Sequence, residues 1–172
     1  MLELMVLACL MSGPCHGYEL KKRLSGLSPN NNEIYPLLRR LEKNGCVTMR
    51  VEPREGKPSR KVCSITGEGR GRMMELLKDF DDYRAASDEE FYLRVAFFQF
   101  LDKECIARIL DRREQALRSC FEDSGVFGGI SGMPDTAYDI RFMKNYVDTR
   151  ISEEIRFINA LRKKHGIEKS AR

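Results

Sequence analysis

Amide, guanidinium and phenol side chains gather at one predicted helix of the sequence, residues 32–43. At 100° per residue, Asn32, Tyr35 and Arg39 share one face of this helix, and Asn31 precedes it. An asparagine amide can form two hydrogen bonds with the edge of an adenine, and an arginine can bind a guanine or a phosphate. The residue types and their spacing therefore allow contacts with both bases and phosphates of DNA. Capping of the helix by the asparagines is the alternative.

A second group of basic residues lies in a predicted hairpin. Residues 46–52 alternate between apolar and polar side chains, and residues 60–65 form a second short strand after a turn with a glycine at its tip. Lys57, Arg60 and Lys61 lie near this tip. We expect these three residues to contact phosphates, which supply affinity without reading the base sequence.

Four further residues are weaker candidates for DNA contacts. Arg40 points to the side of its helix and could instead pair with Glu33 or Glu42. His16 stands at the start of a short predicted helix, where it has either a structural role or a phosphate contact. The remaining two are Lys21 and Lys22.

The elements that would position these residues follow a definite order. The apolar residues 1–11 predict a buried helix, a short helix follows at residues 16–25, and the helix of residues 32–43 has apolar side chains at i, i+3, i+4 and i+7. After the hairpin, a fourth helix runs from Thr66 to about residue 86. This order is the layout of a winged helix-turn-helix, in which one helix enters the major groove and the hairpin touches the flanking backbone.

The second half of the chain is predicted to be helical. A capping box at residues 87–90 starts a helix to about residue 101, a further helix spans residues 103–121, and a glycine-rich loop occupies residues 122–134. The last helix, residues 135–165, has an apolar seam with a mean spacing of 3.5 residues: Ile140, Met143, Val147, Ile151, Ile155, Ile158 and Leu161. This spacing is typical of a coiled coil and predicts that the seam joins two copies of the chain. Packing of the seam on the preceding helices is the alternative.

The predicted fold is mainly α with a small β-hairpin, in two domains. Residues 1–86 form a winged helix-turn-helix, and residues 87–172 form a helical dimerisation domain. Residues 1–78 contain 14 Lys/Arg and 8 Asp/Glu, a balance of +6, whereas the rest of the chain has a balance of −2. The excess of positive charge in the first half indicates a polyanionic partner, double-stranded DNA, although a solvated basic surface would give the same balance.

Four stretches, in the same order along the chain, resemble the PadR family of bacterial transcriptional regulators. They are residues 13–20 (GPCHGYEL), residues 34–45 (IYPLLRRLEKNG), residues 60–66 (RKVCSIT) and Gly69. They cover roughly residues 1–80. The resemblance implies a DNA-binding regulator, most often a repressor, that acts as a homodimer on a palindromic operator. It also implies a phosphate contact from the Tyr35 hydroxyl and release of DNA by a small aromatic or hydrophobic effector.

The second domain contains candidate effector residues, and the first domain departs from the family pattern at two places. Candidate effector contacts in the second domain are Phe97, Phe100 and Tyr146, which could equally be ordinary core or dimer residues. Residues 31–33 (NNE) replace the small residues usual in the family, which predicts a different operator. Cys63 stands where the family usually has an aromatic residue, which predicts altered packing of the wing.

Other classes of function find little support in the sequence. No nucleophile pattern or glycine-rich phosphate loop is present, so we expect no enzyme. With two histidines and no C-x-x-C pair, we expect no metal or other cofactor. The six cysteines are expected to be reduced, mostly buried thiols, with a redox sensor as the alternative.

The sequence also indicates where the protein is located and leaves one alternative function open. The longest uncharged apolar run, residues 4–11, is too short to span a membrane, and without a signal peptide we expect a cytoplasmic protein. The alternative function is a winged-helix interaction or ligand-sensing module that has lost specific DNA binding. Glu33, which places a negative charge near the expected phosphates, keeps this alternative open.

Overall fold

The structure, a computed structural model, describes residues 1–24, 33–54, 57–122 and 138–168. Asn31, Asn32 and the glycine-rich residues 125–132 lie outside the described part, as do the side chains of Lys57 and Ile140. The chain divides into an N-terminal unit, Met1–Asp79, and a C-terminal unit, Phe80–Arg172. Each unit is described by itself below.

The described residues of the N-terminal unit form four α-helices and a three-stranded antiparallel sheet. The helices are α1 (Leu2–Met11), α2 (Gly17–Leu24), α3 (Ile34–Lys43) and α4 (Gly67–Lys78). The strands are β1 (Cys15–His16), β2 (Val47–Arg54) and β3 (Lys57–Ile65), in the order β1-β3-β2. The predicted hairpin of β2 and β3 is therefore confirmed. Strand β1 was not predicted, and its two residues pair with Cys63 and Val62 of β3.

The core of the N-terminal unit is built around α1 and the apolar stripe of α3. Six of the ten residues of α1 are buried: Leu4, Met5, Val6, Leu7, Ala8 and Leu10. The predicted stripe of α3 is buried as well, and its members are Ile34, Leu37, Leu38 and Leu41. Gly45 ends α3 with a φ of 74°, a left-handed conformation that glycine adopts without a steric penalty. Because one face of α3 is packed against the core, its other face is open to a ligand.

Helix α4 starts as predicted and ends earlier than predicted. The Thr66 hydroxyl caps it by accepting a hydrogen bond of 3.0 Å from the Gly69 backbone N–H. A Cβ atom at position 69 would lie 2.0 Å from the Cys46 carbonyl oxygen, so only glycine fits there. The prediction of one helix to residue 86 is wrong, because the chain leaves the helix at Asp79 and Asp81 caps a new helix through the Arg84 backbone N–H, 2.9 Å away.

The C-terminal unit consists of helices. They are α5 (Asp82–Ala86), α6 (Asp88–Val95), α7 (Lys103–Glu122) and α8 (Tyr138–His165). The predicted Ser87 cap of α6 is present, since its hydroxyl accepts a hydrogen bond of 3.3 Å from the Glu90 backbone N–H. Helix α6 does not reach residue 101 as predicted. A tighter 3-10 turn follows at Phe98–Phe100 and buries Phe98 edge-on against the His165 ring, with centroids 5.6 Å apart.

A buried arginine ties α5, α6, α7 and α8 together. The side chain of Arg113 is 1% exposed and lies over the Phe91 ring, 5.2 Å from its centroid. Its guanidinium donates to the Ala85 carbonyl at 2.8 Å and to the Glu154 carboxylate at 2.7 Å, and it also binds Asp88. Every direction of this guanidinium therefore has an acceptor, as a buried cation requires.

The mainly α fold with a small sheet is confirmed. In the described ranges, no helix combines the length and apolar character that crossing a membrane requires. The same residues include no group of three or more His, Cys, Asp or Glu that could hold a metal ion.

Candidate nucleic-acid interface

A cleft of about 610 Å³ separates α2 and α3 from strand β3 of the wing. Five of the residues that the sequence indicated for DNA binding line it: His16, Lys22, Tyr35, Arg60 and Lys61. We call this the wing cleft. Its remaining lining residues are Gly17, Tyr18, Glu19, Leu38, Met49 and Cys63. The wing cleft thus brings together candidate residues that are distant in sequence. They come from helix α3, from the wing, and from α2 and the strand before it.

The wing contributes its cations through the register of β2 and β3. Lys61 lies opposite Val51, and Cys63 lies opposite Met49, so these four side chains share one face of the hairpin. Cys63 is 1% exposed at the base of the wing, whereas Val51 is 61% exposed near its tip. The apolar face of the hairpin is therefore covered only at its base, and Lys61 stands at the boundary between covered and open surface. Among the described residues, Arg60 and Lys61 form no ion pair.

Tyr35 is positioned by a glycine of α2. Its ring is 49% exposed, and a Cβ atom at Gly17 would lie 3.0 Å from the Tyr35 Cε1 atom. A larger residue at position 17 would push the ring away from this position. The hydroxyl of Tyr35 thus stays at the wing cleft, where it can donate a hydrogen bond to an anion.

The two arginines of α3 have different surroundings. Arg39 is exposed and has no ion-pair partner among the described residues. Arg40 pairs neither with Glu33 nor with Glu42 as considered from the sequence, because its guanidinium donates to the Glu3 carboxylate of α1 at 3.1 Å. The same carboxylate accepts a hydrogen bond of 2.9 Å from Arg72. Arg40 is therefore drawn toward α1 and away from the face that carries Tyr35 and Arg39.

His16 is half-buried at the cleft, and its Nδ1 atom has no hydrogen-bond partner within the described residues. The ring lines the wing cleft, where an imidazole N–H can contact an anion.

Burial keeps the thiols of the sheet neutral. Cys15 and Cys63 are direct partners across β1 and β3, and both are buried. Burial raises the pKa of Cys15 from 9.0 to about 11, although the positive charge of Arg23 opposes the shift. Burial also raises the pKa of Cys63. Neutral buried thiols act here as small apolar residues, with low reactivity at neutral pH.

Several predicted residues do not reach the wing cleft, and several unexpected ones do. Lys21 is half-buried on α2 and does not line the cleft. Tyr18, which the sequence did not single out, is 75% exposed and lines the cleft. The lining of the cleft by Met49 and Leu38 depends on tertiary packing, which the alternation of β2 and the stripe of α3 do not reveal.

The predicted dimer seam of α8 divides into covered and partly open positions. Ile158 is fully buried and Leu161 is 8% exposed, so residues of this chain already cover the end of the seam. The half-buried positions of the seam are Met143, Val147, Ile151 and Ile155. A second face of α8 exposes Phe142, Tyr146 and Phe157 at 68%, 59% and 40%. Within the described residues, the seam is therefore covered at its C-terminal end and partly exposed before it.

The three candidate effector residues lie outside the described cavity of the C-terminal unit. Phe97 and Phe100 stack on each other with centroids 6.3 Å apart, and Tyr146 is largely exposed on α8. A cavity of about 300 Å³ in the C-terminal unit is lined by none of the three. Its charged lining residues are Asp88, Arg113, Arg150 and Glu154.

Three helices with a basic hairpin after them, and with exposed polar residues on the third helix, define a winged helix-turn-helix. Residues 6–75 match the model of the transcriptional regulator PadR-like family. The match covers most of the N-terminal unit and confirms the resemblance found in the sequence.

Several solved structures are similar to this chain along nearly its whole length. Bacillus subtilis PadR in complex with operator DNA is 18% identical, with 93% of this chain and 96% of that chain covered and a TM-score of 0.46. The protein smu.1604c from Streptococcus mutans UA159 is 21% identical, with 92% and 96% covered and a TM-score of 0.42. The PadR-like regulator BC1756 from Bacillus cereus is 21% identical, with 95% and 94% covered and a TM-score of 0.40. No curated protein sequence matches the chain.

Proposed function

We propose that this protein is a sequence-specific DNA-binding repressor that acts as a homodimer on a palindromic operator. The observation that carries the proposal is the wing cleft, in which Lys22, Arg60 and Lys61 adjoin the exposed face of α3. A phosphate backbone is the polyanion that such a cleft between a recognition helix and a wing would accept.

In this proposal, the exposed face of α3 recognises the base sequence of the DNA. Its other face is buried in the core, which fixes the helix as a rigid support for the residues that meet the major groove. Arg39 would bind a guanine, and Asn31 and Asn32 would bind adenines at the start of the helix. Tyr35, His16 and the wing residues, with Lys57 among them, would hold the flanking phosphates. Arg40, bound to Glu3, is assigned to the flank of the interface.

The homodimer is assigned to α8. Its half-buried seam and its exposed aromatic face present more apolar surface than a solvated helix needs. A two-fold axis through such a pair would place two copies of α3 in successive major grooves. The half-sites would then lie about 34–36 Å apart, one turn of DNA. Binding of a small aromatic or hydrophobic effector would release the operator.

A gel-shift experiment with DNA from upstream of the protein's own gene tests the proposal. We expect a discrete complex that resists competitor DNA and weakens as salt increases. Arg39→Ala should weaken the complex by about 1–3 kcal/mol and relax the preference at one base position, with Tyr83→Ala as an exposed control in the C-terminal unit. Equal binding to all sequences would instead support a winged-helix interaction module without specific DNA binding.

A further inference from the structure

A series of ion pairs crosses from α4 through α1 to α3 and ends at Arg40. Arg72 of α4 donates to the Glu75 carboxylate at 3.2 Å and, through its Nε atom, to Glu3 Oε1 at 2.9 Å. The other oxygen of Glu3 accepts a hydrogen bond of 3.1 Å from Arg40. The Glu3 side chain is 21% exposed, whereas that of Arg40 is 62% exposed. A sheltered carboxylate with one arginine on each oxygen therefore holds the guanidinium of Arg40.

The place where Arg40 rests is poorly suited to a phosphate. A surface groove of about 460 Å³ adjoins it. Among the described residues that line this groove, two carboxylates, Glu3 and Glu33, accompany the one cation, Arg40. A phosphate in the groove would approach both carboxylates, and like charges repel each other. Arg40 in this position therefore adds little to the affinity for DNA, although it belongs to the helix that is proposed to enter the major groove.

The preceding residue of α3 differs in this respect. Arg39 is exposed and has no ion-pair partner among the described residues. The two arginines are adjacent in sequence and carry the same charge, so their different surroundings come from the tertiary contact of Arg40 with α1. Helix α3 thus offers one arginine to DNA and keeps the next one bound within the protein.

We infer that Glu3 holds Arg40 away from DNA and is thereby a specificity-determining residue of the protein. The effect on specificity rests on the proposed DNA-binding function, whereas the retention of Arg40 does not. Contacts between cations and phosphates supply essentially all of the binding to DNA of unrelated sequence. An Arg40 released from Glu3 could reach a phosphate on any duplex.

Release of Arg40 would favour unrelated sequences over the operator. On unrelated DNA the protein can shift along and around the duplex until a released arginine meets a phosphate. On the operator, contacts with the bases fix the position of α3, so the protein cannot shift to accommodate Arg40. The gain in affinity should therefore be larger for unrelated DNA, and the ratio of the two affinities should fall.

The salt dependence of binding gives the size of the effect. One released arginine in each of two subunits would neutralise about two further phosphates on unrelated DNA, which steepens the slope of log K against log salt concentration by about 1.8. The gain in affinity over the wild type would then shrink about 12-fold as salt rises from about 50 to 200 mM.

The retention of Arg40 can be measured without DNA by the rate at which phenylglyoxal modifies each arginine, followed by mass spectrometry of the full-length protein. Glu3→Gln keeps the shape of the side chain but has no charge and only one acceptor oxygen. We expect Arg40 to react about two- to fivefold faster in this variant, the range that corresponds to loss of a partly exposed ion pair. The rate at Arg39 should remain that of the wild type. An unchanged rate at Arg40 would overturn the inference.

The effect on specificity is measured by fluorescence anisotropy with two labelled duplexes, one from upstream of the protein's gene and one of unrelated sequence, at several salt concentrations. We expect Glu3→Gln to steepen the slope on the unrelated duplex and to lower the ratio of the two affinities. Glu75→Gln is the matched control, because it removes the same charge from the same unit and leaves Arg40 bound to Glu3. Its slope should remain that of the wild type, and Arg40→Gln added to Glu3→Gln should restore the wild-type slope.

Three results of the DNA experiment would contradict the account of Glu3 or of DNA binding. Equal slopes for Glu3→Gln and Glu75→Gln, or an unchanged ratio of affinities, would overturn the role of Glu3 in specificity. Weaker binding of Glu3→Gln to both duplexes would overturn it as well, because Glu3 would then position Arg40 for a contact with DNA. A wild-type protein that binds both duplexes equally would refute the proposed function, while the phenylglyoxal rates would still decide whether Glu3 retains Arg40.

Discussion

Replacement of Lys61 by glutamine should reduce the salt dependence of DNA binding by a predictable amount. Each phosphate that a cation neutralises contributes about 0.9 to the slope of log K against log salt concentration. The wing cleft supplies three cations in each subunit, Lys22, Arg60 and Lys61. Two subunits on one operator would therefore neutralise about six phosphates and give a slope of about −5.4 from this cleft. Between about 50 and 200 mM salt, the affinity would fall about 2,000-fold.

The Lys61→Gln variant loses one contact in each subunit. Its slope should become shallower by about 1.8, so that the same increase in salt lowers the affinity only about 150-fold. Because the contact is to a phosphate, the loss of affinity should be uniform across DNA sequences. Further contacts elsewhere on the interface add equally to both slopes and leave their difference unchanged.

Fluorescence anisotropy with a labelled duplex at several salt concentrations measures both slopes. Lys164→Gln is the matched control, because it removes the same charge from an exposed position of the C-terminal unit. Its slope should remain that of the wild type. An identical change in both variants would show that net charge controls binding. An unchanged slope in Lys61→Gln would remove the wing cleft from the phosphate contacts.

Three further predictions concern stability. Gly69→Ala should lower the free energy of unfolding in urea by more than about 2 kcal/mol, because the added methyl group would meet the Cys46 carbonyl oxygen. Gly71→Ala in the same helix places its methyl group in open space and should stabilise the protein by about 0.5–1 kcal/mol. Arg113→Ala should cost about 3–5 kcal/mol, because it removes the cation that binds the 10% exposed Glu154 carboxylate and the buried Ala85 carbonyl. Arg118→Ala, whose side chain is 55% exposed, should cost less than about 1 kcal/mol. Equal costs for either pair would refute the packing described. The Cys15 thiol ionises more readily in the unfolded chain, because its pKa is about 11 in the folded protein and 9.0 otherwise, so the free energy of unfolding should fall as pH rises from 9 toward 11. Urea unfolding at each pH should show a smaller fall for Cys15→Ala. The same pH profile in both proteins would contradict the raised pKa.

Features of the fold that depend on neighbouring residues were predictable from the sequence. The caps by Thr66 and Ser87 form between residues three apart, and the apolar stripe of α3 follows from helical geometry. The alternation along β2 likewise agrees with its pairing to β3. These signals are local, so the sequence carries them without knowledge of the tertiary structure.

Other features were missed because they depend on distant partners. Strand β1 has two residues, too few for a detectable period, and exists because β3 lies beside it. Arg40 pairs with Glu3, 37 positions away, rather than with the nearby carboxylates. Ile158 belongs to a regular seam, yet the chain itself covers it completely. A period identifies an apolar face, but packing decides what covers that face.

The wing cleft shows the same division. The sequence indicated its cations through the hairpin and the helix, and it indicated Tyr35 through the helical face. It did not indicate that Tyr18 and Met49 join them, because these residues belong to different elements that only the folded unit brings together.

Lysine acetylation measured with mass spectrometry tests whether the wing cleft is the surface that meets DNA. The full-length protein is treated with a dilute acetylating reagent in the absence and in the presence of duplex DNA from upstream of its gene. We expect DNA to slow the acetylation of Lys22 and Lys61 and to leave that of Lys164 unchanged. Formation of the DNA complex without protection of Lys22 and Lys61 would show that DNA binds another surface.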